Sequence, residues 1–212
     1  MGIRTVRTDE SLDSVWEDLV YSESRLLASR RGKRFAKEVT KLLDRWGDVA
    51  EAQRKAWRKE IAAQARIDKA DDDLDDLVYD FGETLERLDS ERGNKKKSAR
   101  YARYFKQPRH EIIRMGLQTE LDHVREWPAS IQNEPEKEVK AFAAPFRNVI
   151  RSGTEALRDR GAAAADRADQ RVREVLPYID DVNATRLSVY GRLVQLVSKK
   201  KLPRDCHLMI CN

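Results

Sequence analysis

Arg34–Arg92 reads RFAKEVTKLLDRWGDVAEAQRKAWRKEIAAQARIDKADDDLDDLVYDFGETLERLDSER. Phe35, Val39, Leu42, Trp46, Val49, Ala56, Ile67, Leu74, Leu77, Phe81 and Leu88 recur within it at a spacing near 3.5. That spacing lays an apolar stripe along one side of a helix. Gln53 and Glu60 interrupt the stripe, while Trp57 and Ile61 sit beside it. The pattern therefore suits a long bundle helix better than a strict coiled coil. Gly47 is the expected break, with Asp48 and Glu51 placed like a capping box for a restart.

The flanking segments carry the same period. Leu12, Val15, Trp16, Leu19 and Leu26 predict a first helix over Asp9–Arg30, closed by Gly32. Residues 93–109 read as a loop or frayed helix. Pro108 opens a short helix to about Trp127, where Pro128 ends it. Asn133, Glu134 and Pro135 then start a stripe from Val139 to Val197 that continues to about Lys201. Pro145 and Pro177 are expected to kink or break it. Nowhere do β-branched and aromatic residues alternate between turns, so no strand is expected. The expectation is an all-α fold: an elongated or kinked helical bundle of about five to six helices, two of them long. With no linker composition in view, one domain over residues 1–212 is expected, with a basic loop at 92–109 and a flexible tail at 203–212.

Composition agrees with thin, wet helices. Of 212 residues, 40% are hydrophobic and 37% charged, and mean hydropathy is −0.75. No apolar run approaches the roughly 18 residues of a membrane span. Glycine (9) and proline (6) are too few for a low-complexity chain. The two cysteines, Cys206 and Cys211, staple no fold, and no signal-peptide core follows Met1, so a cytoplasmic location is expected.

The net charge of +5 hides strong segregation. Residues 92–109 contain Arg92, Lys95, Lys96, Lys97, Arg100, Arg103, Lys106 and Arg109 and no acid, with Tyr101, Tyr104 and Phe105 interleaved. Cations neutralise phosphates and aromatic rings stack on unpaired bases, so this segment is the candidate polyanion site. Lysines and arginines that solubilise a loop are the plainer account. Arg30-Arg31-Gly32-Lys33-Arg34 and Lys199-Lys200-Lys201 are two further clusters. Along the long segment, residues 30–59 carry +7 and residues 60–91 carry −9. Such a helix can pair antiparallel with a copy of itself, the acidic half acting through Asp72, Asp73 and Asp76.

Few motifs offer catalysis. Asp72, Asp73 and Asp76 resemble the DDxxD spacing of terpenoid synthases, which are all-helical, and the resemblance implies magnesium bridging to a diphosphate. It covers five residues, and Asp180-Asp181-Val182-Asn183 is only a fragment of the second motif such enzymes need. Glu120 and His123 have the E-x-x-H spacing of di-iron bundles, without a second copy of it. Cys206, His207 and Cys211 are one ligand short of a structural zinc site. No phosphate-binding glycine loop occurs. No cofactor and no catalytic residue are expected.

These patterns point first to a non-catalytic helical scaffold or adaptor that binds another protein or a second copy of itself. A nucleic-acid or other polyanion-binding module using residues 92–109 is the alternative. A magnesium-dependent all-α enzyme using Asp71–Asp76 is the third reading. A membrane-surface role is weaker than any of these.

Overall fold

The computed structural model describes residues 5–93 and 98–199. Among them the fold is all-α, without a strand. Helix α1 spans Leu12–Ala28, and α2 runs uninterrupted over Lys33–Glu91. Short helices follow: α3 (Ala99–Tyr104), α4 (Arg109–Ile112), α5 (Leu117–Val124), α6 (Trp127–Gln132) and α7 (Lys137–Lys140). The second long course consists of α8 (Ala143–Gln170), a π-helical turn (Arg171–Val175) and α9 (Leu176–Ser198). No helix of the described residues is long and apolar enough to cross a membrane.

Two local expectations, at Gly47 and Pro128, are corrected. Gly47 does not break α2. A glycine costs a helix about 1 kcal/mol relative to alanine. Around it Leu42, Val49 and Ala50 are buried, and that packing outweighs the cost. At Pro177 the last course is distorted rather than ended, as a proline inside a helix requires. The wide π turn immediately before it absorbs the missing backbone donor. Pro128 opens α6 instead of only ending the helix before it, because the first turn of a helix needs no donor there.

The chain divides into two compact units: Met1–Trp57 with Asp166–Asn212, and Arg58–Ala165. Both boundaries fall inside helices, α2 and α8, so no change of composition marks them. The first unit packs Leu12, Val15, Leu19 and Leu26 of α1 against Phe35, Val39 and Leu42 of α2 and Tyr178, Ile179, Val182, Val189 and Leu193 of α9. Two aromatic polar groups find backbone partners there. Tyr178 Oη donates to the Leu42 carbonyl at 3.0 Å, and burial pushes this phenol up to about 12. Trp46 is half-buried and gives its indole N–H to the Leu12 carbonyl at 2.8 Å.

The second unit is organised around Phe81 of α2. Its ring meets those of Tyr104 (5.0 Å between centroids), Phe142 (5.3 Å), Phe146 (5.5 Å) and Trp127 (5.7 Å). Leu74, Val78 and Leu85 extend this core along α2, and Ile112, Leu121, Ile131 and Val139 reach it from the short helices.

Candidate functional site

The arginines of the basic segment 92–109 help to hold the second unit together. Ser98 Oγ accepts the Tyr101 N–H at 3.1 Å and caps α3, so the segment from Ser98 is helical rather than a loop. The spacing i, i+3, i+4 turns Tyr101, Tyr104 and Phe105 into the core. Only 2% of Tyr101 and 2% of Tyr104 is exposed, which corrects their assignment as stacking platforms for bases.

Burial then requires partners for the polar ends. Tyr104 Oη donates to Glu134 Oε1 at 2.8 Å, and Arg103 Nη1 reaches the same oxygen at 3.0 Å. Burial and the Glu134 charge raise the Tyr104 phenol above its ordinary range. Arg100 bridges Asp89 (3.1 Å) and Glu136 (2.8 Å). Burial opposes the charge of Glu136, but its own backbone N–H, Arg100 and Arg92 hold the carboxyl below its usual value. Arg92 also pairs with Glu136.

Arg109 crosses α2 where Gly82 leaves room. A Cβ at Gly82 would lie 2.3 Å from Arg109 Cδ. The guanidinium sits 4.8 Å from the Tyr79 ring, donates to the Tyr79 carbonyl at 3.0 Å and pairs with Glu86 at 3.1 Å. Lys106 remains exposed, and Lys95, Lys96 and Lys97 lie outside the described residues.

The aspartate run splits between two faces of α2. Asp72, Asp73 and Asp76 are exposed, with Lys69 paired to Asp73. Asp71 and Asp75 turn partly inward, toward the fully buried Glu120 of α5. Burial and the charges of Asp75 and Asp71 push Glu120 up to about 9. Burial likewise raises Asp75 and Asp71. The neighbour of the buried carboxyl is one that the DDxxD spacing passes over.

The E-x-x-H pair does not converge. Glu120 faces α2, while His123 lies 5.8 Å from the Trp127 ring, with its pKa lowered by burial and by Lys106. Among the described residues, no group of three or more His, Cys, Asp or Glu side chains is placed to hold a metal ion. Cys206, His207 and Cys211 lie outside the described residues.

The lesser basic clusters of the sequence come together in the first unit. Ser24–Lys37 contains Arg25, Arg30, Arg31, Lys33, Arg34 and Lys37 and no acid. The α1–α2 turn is tight. Gly32 N–H donates to Ser29 Oγ at 3.2 Å, and a Cβ on Gly32 would lie 2.7 Å from the Leu26 carbonyl oxygen. Arg30, Arg31, Lys33 and Arg34 are exposed, and among the described residues no ion pair engages them. Lys199 at the end of α9 and Arg192 join Arg34 around a concavity of about 430 Å³ that also includes Phe35, Glu38 and Gln195. Arg34 and Arg192 flank the Phe35 ring at 4.6 and 5.0 Å. Arg192 binds Glu38 through both guanidinium nitrogens, one at 2.8 Å. Arg192 has no neighbouring cation in sequence, so only the fold reveals its place here.

No protein-family model matches the chain, and no curated protein or solved structure matches it.

Proposed function

We propose that this protein is a non-catalytic, cytoplasmic helical scaffold or adaptor that works by protein–protein contact, with a second copy of the chain as the partner its charges fit best. The observation that carries this reading is the exposed charge on α2. Lys37, Lys41, Lys55 and Arg58 are exposed on its basic half, and Asp72, Asp73, Asp76 and Asp80 on its acidic half. An antiparallel second copy would set each half against its opposite, a self-complementary contact of the kind that closes as a two-fold dimer. Opposed potentials of this sort fix register and partner more than they add affinity. Apolar contacts can supply affinity: Leu187 and Val194 of α9 are exposed at 61% and 40%.

The charged segment 92–109 supports the same reading from the other side. Its arginines are engaged with Asp89, Glu134, Glu136 and Glu86 inside the second unit, which supports a structural role for them. The test is charge reversal with light scattering. Asp72→Lys, Asp73→Lys and Asp76→Lys together should convert an assembly to monomer while the helical circular dichroism stays. An assembly of unchanged mass would remove these aspartates from the contact.

A further inference from the structure

We infer that the α1–α2 turn and the end of α9 form a binding site for the phosphate backbone of a nucleic acid, read without regard to base sequence. This goes beyond the scaffold reading; it shares Lys37 and Lys41 with that reading and otherwise rests on residues of the α1–α2 turn and the end of α9.

The first argument is the contrast between the two basic regions. In 92–109, Arg92, Arg100, Arg103 and Arg109 all contact carboxylates. A cation already paired releases no counterion from DNA, because its charge is spent. At the α1–α2 turn the cations stand exposed and unpaired among the described residues. Glu38, the one acid lining the concavity, is occupied by Arg192.

The second argument is preorganisation. The Ser29–Gly32 turn is pinned by the Gly32 N–H on Ser29 Oγ and by the Lys33 N–H on the Ser29 carbonyl at 3.0 Å. Two consecutive arginines, Arg30 and Arg31, are thereby held outward. Arg34 is steadied against Phe35. Cations fixed before binding lose less side-chain entropy on contact.

The third argument selects the partner. Lys33, Lys37 and Lys41 follow one another at i, i+4 and i+8, roughly 6 Å apart along α2, and all three are exposed. Beside them the site is concave. A rail of cations next to a concavity fits a linear chain of phosphates, whereas a lipid surface is flat. The one aromatic ring in the site, Phe35, is buried beneath two guanidinium groups and cannot stack on a base. Single and double strands should therefore bind by backbone alone.

The test is fluorescence anisotropy of the full chain with a labelled 20-mer of thymidylate and a labelled 20-base-pair duplex. Four phosphate contacts give a log–log salt slope of about −3.6 on duplex, so binding should weaken about 10²-fold between 50 and 200 mM salt. The triple variant Arg30→Gln, Arg31→Gln, Lys199→Gln should bind at least tenfold more weakly at 50 mM salt. Replacing Lys95, Lys96 and Lys97 with glutamine should change affinity less than twofold. Should the triple variant lose helicity, Arg31→Gln alone reports the same thing as a slope shallower by about 0.9. Three results would overturn the inference: no binding by the native chain at 50 mM salt, full binding by the Arg30/Arg31/Lys199 variant, or capture by phosphatidylserine vesicles with both oligonucleotides ignored.

Discussion

The fully buried carboxyl of Glu120 on α5 lies beside the partly buried carboxyl of Asp75 on α2, close enough for the Asp75 charge to raise its pKa. Burial of two neighbouring carboxyls favours the protonated form of Glu120. Burial raises Glu120 from an ordinary 4.5 to about 9 in the folded chain. Between those values the folded state holds a proton that the unfolded state has released. The contribution is complete below about pH 4.5 and is lost as pH rises toward 9. One proton of difference gives a slope of at most about 1.4 kcal/mol per pH unit. Chemical denaturation at pH 5 and pH 8 should therefore show lower stability at pH 8. Glu120→Gln cannot titrate and should flatten that slope. An unchanged slope in the variant would move the proton elsewhere.

Arg100 should behave as a structural cation. Its side chain is 11% exposed and joins Asp89 to Glu136 across α2, α3 and the start of α7. Removing one member of a buried pair leaves a charge without compensation, at about 3–5 kcal/mol. Arg100→Gln should lose about 3 kcal/mol in urea denaturation, and added salt should change the loss little. Lys69→Gln breaks only an exposed pair with Asp73 and should leave the midpoint where it was.

Phe81→Ala tests the second unit's core. Phe81 is fully buried among five aromatic rings, and truncation should cost about 3–5 kcal/mol. A loss below about 1 kcal/mol would mean that the aromatic cluster closes over the cavity.

The fold was legible because apolar periodicity is a local property. Phe35, Val39, Leu42, Leu74 and Phe81 were placed on the inner stripe of α2 from spacing alone, and all are buried. Breaks were misjudged where tertiary packing outweighs a local penalty, as at Gly47. In 92–109 the count of cations masked an amphipathic period, Tyr101–Tyr104–Phe105, which by itself signals a helix with a buried face. Which side of a charge run meets its partners depends on distant elements. Asp75 turns inward beside Glu120 while Asp76 stays exposed, and Glu134 lies 31 residues from Arg103. Arg192 reaches Glu38 across 154 positions, a pairing no window of sequence contains.

The most direct test of self-association through α2 is sedimentation velocity of the native chain as salt rises. Exposed ion pairs weaken as the Debye length falls from about 10 Å at 0.1 M to 3 Å at 1 M. If Lys37 and Lys41 of one copy face Asp72, Asp73 and Asp76 of another, the sedimentation coefficient should fall from a dimer's value to a monomer's across that range. A monomer at every salt concentration, or a dimer indifferent to salt, would contradict it.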